Sequence, residues 1–434
     1  MRFYSKYSVV LAFAAAALVS ATHAPAADEF ERPPIEYSRA TPENCIADLE
    51  ERIDRGEVQL AFREGLGYLP SLLEALDVPV ESQMLVFSKT SLQRQRISPR
   101  TPRAIYFNDD VYVGFCQSGD LLEISAVDPK VGTAFYTLDQ EPMETPRFTR
   151  QTDSCLQCHS SSRTGGVPGH VVRSLFVNAG GEPILSAGSF TVDHTTPLEK
   201  RWGGWYVTGE HGWQSHLGNL IVRGKQVSQP VDNSEGQNVL RLDDRLPIEK
   251  YLVPYSDIVA LMVFEHQTVV QNCLSKANFT ARKALYDEAA LNRTLGKPAE
   301  EVSESTLRRI SAAGDELVDA LLLVGEAPLA DSIRGTSGFA EKFTQQGPRD
   351  SQGRSLRDFD LELRLFKYPC SYMIYSSAFD GLPAEVKDYV WQRMWDVLVH
   401  REDAERFAHL RKDDRQAIVE ILRETKPGLP SYWK

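Results

Sequence analysis

Ala104-Ile105-Tyr106-Phe107-Asn108-Asp109-Asp110-Val111-Tyr112-Val113-Gly114-Phe115 sets two runs of β-branched and aromatic residues around an Asn-Asp-Asp connection. Such side chains favour a pleated strand, and Asn and Asp tolerate tight turns, so the stretch predicts a β-hairpin. Working outward, residues 84–87, 121–124 and 134–137 are further short runs bounded by Asn, Asp, Gly or Pro, and each reads as a strand. Residues 174–177, 189–192, 205–208 and 220–222 read as later strands, with a turn at Asn178-Ala179-Gly180-Gly181. Upstream, Cys45, Leu49 and Ile53, then Leu66, Leu69, Leu72, Leu73 and Leu76, follow helical spacing broken by Gly and Pro. Beyond residue 246 the chain reads as helices at 256–286, with Ser256 as cap, at 307–324, and at 383–400 with Val386, Val390, Met394 and Val397 on one face. Ala417, Ile418, Ile421 and Leu422 mark a last helix before Pro427, and 326–357 reads as a long loop. The expected fold class is α+β: a β-rich region followed by a mainly helical C-terminal region.

The chain has 434 residues, 42% hydrophobic and 25% charged, which suits a packed core rather than disorder. Its formal net charge is -12. An acidic chain repels phosphate backbones and no dense basic patch interrupts it, so nucleic acid is not an expected partner. There is no G-x-S-x-G, no H-E-x-x-H and no Gly-rich phosphate loop.

Arg2 and Lys6 precede the small and apolar run 9–21, and Ala24-Pro25-Ala26 follows it. Basic start, apolar run and small-residue exit predict a signal peptide over 1–26, hence export to the periplasm or cell envelope. The run is about 13 residues, short of the roughly 20 that span a bilayer, and no later segment reaches that length, so no transmembrane segment is expected in the mature chain. Removing Arg2 and Lys6, with no acid in the same stretch, takes -12 to -14. Export places the six cysteines in an oxidising compartment.

Cys155-Leu156-Gln157-Cys158-His159 is a C-x-x-C-H sequence. Two thiols three positions apart can reach the two vinyl groups on one edge of a porphyrin, and the adjacent imidazole then reaches the iron from the same side. With 6 Cys and 9 His in 434 residues, chance occurrence is about two in a thousand over the chain. A disulfide, a thioredoxin-type pair or half a zinc site are the bland readings. No βαβ pattern surrounds the pair and no second C-x-x-C exists to complete a zinc site. The single motif implies one covalent haem c, with Cys155 and Cys158 as attachment points and His159 as the proximal iron ligand.

In this motif and its export signal, a few dozen residues at most, the chain resembles c-type cytochromes. It departs from the small all-helical type: the next Met after His159 is Met262, and the surroundings are β-rich. Candidate distal ligands are His211, His216 and His266, with His170 and His194 behind them. Residues 201–216 combine three Trp, four Gly and two His, which suits either a wall for a flat cofactor or an aromatic turn in a sheet core. His266 lies on the apolar helix at 256–286. Arg147, Arg150, Arg163, Arg173 and Arg201 are nearby candidates for haem propionates. Cys45, Cys116, Cys273 and Cys370 remain for up to two disulfides or stay free.

The chain thus divides into 1–26 signal peptide, 27–82 helical lead-in, 83–225 β-rich haem c region and 226–434 helical region. The expected function is electron transfer through the haem iron, with a redox partner protein. A chain about four times the size of a simple carrier also admits a haem-dependent oxidoreductase or peroxidase, or a ligand sensor or adaptor.

Overall fold

Period-two alternation along residues 84–151 builds one antiparallel sheet and assigns each of its faces to a different core. The computed structural model describes residues 29–224, 227 and 231–434; the expected signal peptide at 1–26 lies outside them. The strands are β1 (Met84–Val86), β2 (Arg103–Phe107), β3 (Val111–Phe115), β4 (Leu121–Asp128), β5 (Gly132–Asp139) and β6 (Phe148–Gln151), each hydrogen-bonded to the next in chain order. The hairpin read at 104–115 is β2–β3, with Asn108 Oδ1 accepting from the amides of Asp110 and Val111.

Leu85, Ala104, Tyr106, Val113, Ile124, Tyr136 and Leu138 point to one face. There they bury against α1 (Cys45–Asp54) and α2 (Leu69–Ala75). Asn44 caps α1, its Oδ1 accepting from Ile46 and Ala47. Met84, Val86, Ile105, Phe107 and Tyr112 point to the other face, into a core shared with the C-terminal helices. A one-residue slip in register would exchange these two sets, so burial on both sides pins the pairing.

α4 (Ile258–Leu295) is the central element of that second core. It is buried all round over its first three turns, as an interior helix must be. Its cap is Asp257, whose Oδ1 accepts from Val259 and Ala260. Ser256, the cap expected from sequence, is turned to the sheet instead: its Oγ accepts from Leu85 N and donates to Tyr206 O. α5 (Glu304–Leu321) packs along α4. α6 (Phe339–Gln345), α7 (Ser377–Asp380), α8 (Ala384–Trp395) and α9 (Lys412–Thr425) complete the helical half. Val386, Val390, Met394 and Val397 are buried, as their spacing requires. Sheet in the N-terminal half and helices in the C-terminal half make the fold α+β.

Between the two halves, α3 (Leu156–His159) and the two-stranded ribbon β7 (Arg173–Leu175) with β8 (Ser189–Thr191) carry the segment of interest. Residues 205–208 and 220–222, read as strands, make only isolated bridges: Trp205 pairs Val86, Thr208 pairs Asp257 and Val222 pairs Asn178. Among the described residues no helix is long and apolar enough to cross a membrane.

Candidate functional site

β6 runs into the C-x-x-C-H sequence, and α3 is its single helical turn. His159 N donates to Cys155 O at 3.0 Å, and Ser160 N to Leu156 O at 3.0 Å. Residues three apart in a helix share a face, so Cys155 and Cys158 lie on one side of the turn. Leu156 is buried in the core of the N-terminal half, Cys155 is half-buried and Cys158 is exposed. Both thiols are free.

The imidazole of His159 is clamped at one nitrogen only. Its Nδ1 lies 2.9 Å from Gly169 O. A carbonyl can only accept, so Nδ1 carries the proton and Nε2 keeps its lone pair. Nε2 has no partner among the described residues. Gly169 N in turn donates to His159 O at 2.8 Å, which closes the loop 160–168 upon itself. Burial lowers the pKa of His159, with the Gly169 bond opposing, so the ring is neutral. A neutral imidazole with Nδ1–H bonded to a carbonyl and Nε2 free is the form that ligates a metal.

The sheet seats this imidazole. Tyr112, Ser125 and Phe135 are direct cross-strand neighbours on β3, β4 and β5. The His159 ring packs on Phe135 at 5.0 Å between centroids. His170 packs on Tyr112 at 4.3 Å, with Nε2 2.9 Å from Ser125 Oγ. From the other side, Asn272 of α4 brackets the backbone: its Oδ1 accepts from His170 N at 2.9 Å and its Nδ2 donates to His170 O at 2.7 Å. A Cβ on Gly169 would lie 2.2 Å from Asn272 Oδ1, so only glycine allows this approach. Phe135, Gly169 and Asn272 therefore position His159, and single-sequence reading did not single them out. The Pro168-Gly169 dipeptide was the available signal. Asn272→Ala is expected to lower stability by about 1–3 kcal/mol, because both backbone groups of His170 lose their partner; a denaturant midpoint within error of the parent would remove Asn272 from this role.

The three distal candidates offer no such lone pair. His266 is fully buried, with Nε2 2.7 Å from Ser371 Oγ and Nδ1 3.4 Å from Nδ1 of His194. His211 is fully buried and its Nε2 accepts from Asn238 N at 3.0 Å, leaving a protonated Nδ1 enclosed without a partner. His216 Nδ1 accepts from Gly218 N at 3.0 Å, so its Nε2 bears the proton. The cofactor-wall reading of 201–216 thus meets a locked aromatic turn, with Trp202 edge-on to His216 at 5.3 Å and the two histidine rings 4.7 Å apart.

The arginines also separate. Arg147 pairs with Asp54, Arg150 donates to Ala40 O and Tyr37 O, and Arg201 pairs with Glu265 in the interior. Arg163 and Arg173 make no ion pair among the described residues. Arg173 donates from Nη2 to Ser189 Oγ, while its Nε is buried without an acceptor. Burial, and after it the Arg163 charge, push its pKa down. Two guanidiniums with spare donors suit the carboxylates of a bound haem. The residues present therefore fit that group: two free thiols on one face, a free Nε2 beside them, and donors without acceptors at the rim.

Cys45, Cys116, Cys273 and Cys370 are free, and burial raises their thiol pKa values, as it raises that of Cys155 to about 11. No cluster of three or more His, Cys, Asp or Glu side chains able to hold a metal ion occurs among the described residues.

Burial lowers the pKa of His159, His170, His194, His211, His216, His266 and His409. His170 and His216 are pushed to about 3 and His194 to about 4. Below the ordinary value of 6.5 the unfolded chain then binds more protons than the folded one, so stability falls as pH drops through that window. Glu265 and Glu326, pushed up to about 7, and Asp110 and Asp257, also raised, act in the opposite sense but are fewer. The expected result is a melting temperature lower at pH 5 than at pH 7.5; an equal or higher value at pH 5 would contradict the buried neutral histidines.

Compared with protein-family models, curated proteins and solved structures, the chain matches none of them.

Proposed function

We propose that this chain is an exported c-type haem protein, with one haem tethered at Cys155 and Cys158 and ligated by His159, and that it transfers electrons in the periplasm or cell envelope. One observation carries the reading: His159 holds Nδ1–H on Gly169 O and leaves Nε2 free, one residue from an exposed thiol and on the same turn as a second. Bound there, a haem supplies a one-electron couple at its iron. The chain's own parts do the rest. Gly169 O fixes the tautomer and orientation of the imidazole and raises its basicity. Arg163 and Arg173 would hold the propionates. The exposure of Cys158 leaves the attachment edge at the surface, where a redox partner can approach without a conformational change.

A second reading is favoured by a separate observation. The lone pairs of His211 and His216 are taken by the Asn238 and Gly218 amides, and His266 Nε2 lies 2.7 Å from Ser371 Oγ, so none of the three offers a free lone pair to an iron. An iron with an open sixth position would suit a haem-dependent oxidoreductase or a ligand sensor.

Protein matured with haem-attachment machinery, examined ferric, ferrous and ferrous with carbon monoxide, tests both. Reversible one-electron titration with rapid exchange to a soluble redox protein supports electron transfer. A haem that shifts with carbon monoxide and turns over peroxide or an organic substrate gives the enzyme reading. A shift without turnover gives the sensor. A haem that neither titrates reversibly nor binds gas overturns the function proposed.

A further inference from the structure

A cleft of about 520 Å³ opens beside the β7–β8 ribbon, on the face carrying Phe190. In the ribbon register Phe190 opposes Ser174, whereas Arg173 and Thr191 point to the other face, so the cleft and Arg173 lie on opposite sides. The volume is that of a small-molecule site. Phe176, Phe190 and Leu217 form its apolar wall. Its polar lining includes His216, Asn233, Gln237, Glu199, Lys200 and Asp232.

His216 is the residue that points to a ligand. It is 2% exposed. Its Nδ1 is occupied by the Gly218 amide, and an amide only donates, so the proton sits on Nε2. That N–H has no acceptor among the described residues, and His216 lines the cleft. A nearly buried donor without an acceptor costs free energy unless something supplies one. Lys200 lies over the Phe190 ring at 5.8 Å and forms no ion pair among the described residues, and neither does Glu199. The Lys200 ammonium, the Glu199 carboxylate and the His216 N–H thus have no hydrogen-bond or ion-pair partner among the described residues, while Asp232 Oδ1 accepts from Ser234 N at 3.0 Å.

We propose that the cleft binds a small zwitterion, a free α-amino acid with an apolar side chain. Its carboxylate is received by the His216 Nε2–H and the Lys200 ammonium. Its ammonium faces Glu199 and Asp232, and its side chain lies on Phe176 and Phe190. An anion alone would meet Glu199 and Asp232 unpaired, and a cation alone would leave the His216 donor unmet. No residue of this wall belongs to the 155–159 sequence, so the site stands or falls apart from the haem reading.

Isothermal titration calorimetry of the full mature chain, with and without haem, tests it, using L-phenylalanine, L-leucine and L-valine against phenylacetate and phenethylamine. At least one amino acid is expected to bind about tenfold more tightly than either single-charge analogue, and Lys200→Ala to weaken it about tenfold. Lys200 is exposed, so that variant folds even where His216→Phe does not. Binding of no amino acid, equal binding of phenylacetate or phenethylamine, or an unchanged affinity in Lys200→Ala would each overturn the proposal.

Discussion

His159→Gly is expected to leave the haem covalently attached and to abolish its proximal ligation, with added imidazole restoring the parent spectrum. In the proposed reading the tether runs through Cys155 and Cys158, which the substitution does not touch. What disappears is a ring packed on Phe135 and bonded through Nδ1 to Gly169 O. The slot left behind keeps its aromatic wall and its carbonyl acceptor, so free imidazole can re-enter in the same tautomer. The stability cost is modest, about 1–2 kcal/mol, because one partly buried hydrogen bond and one ring contact are lost. A spectrum unchanged in His159→Gly would mean that another side chain holds the iron on that side.

The second large effect lies in the interior. Arg201→Met is expected to cost about 3–5 kcal/mol. Arg201 is 4% exposed and Glu265 0%. Their Nη1–Oε2 contact is 2.9 Å, and Arg201 also donates to Thr196 O at 2.7 Å and His194 O at 3.1 Å. Removing the guanidinium strands a buried carboxylate whose Oε1 already lacks a partner, along with two carbonyls. Burial already pushes Glu265 up to about 7 against the pull of Arg201. Its contribution to stability is therefore greatest while the group is protonated below pH 4.5 and is lost as pH rises to about 7. Without Arg201 that loss extends to higher pH, so the variant is weakest in alkali. Arg201→Met/Glu265→Met should recover most of the loss, since two apolar chains replace a pair that no longer needs compensation. A single variant within about 1 kcal/mol of the parent in denaturant titration would contradict the account.

What was legible in the sequence follows from where the information sits. The hairpin at 104–115 and strands β1, β4 and β5 were readable because each carries its own apolar pattern. β6 was not read: Phe148-Thr149-Arg150-Gln151 has one apolar residue, and as an edge strand it needs only one. Residues 205–208 have strand-forming side chains, but their backbone partners come singly from β1 and the start of α4. No local pattern encodes such scattered pairing. The α4 cap was placed one residue early because Ser256 and Asp257 are both good caps, and only the sheet decides which turns inward.

The same division holds at the site. Cys155, Cys158 and His159 can be proposed from sequence alone because thioether attachment of a haem would need that local spacing. Phe135 and Asn272 were not, since they meet His159 and Gly169 only through the sheet and α4. The distal question was undecidable from sequence because histidine chemistry depends on which ring nitrogen carries the proton. The amides of Gly218 and Asn238 decide that for His216 and His211. Among five arginines near the motif, only partners elsewhere in the chain distinguish structural Arg147, Arg150 and Arg201 from Arg163 and Arg173.

The central claim is covalent haem at Cys155 and Cys158, and intact-mass spectrometry after acid-solvent extraction tests it most directly. Protein matured with haem-attachment machinery should carry the mass of the chain plus one haem, and Cys155→Ser/Cys158→Ser should carry the chain alone while keeping its fold. A parent protein that loses all haem on extraction, or a double variant that retains it, would contradict the claim.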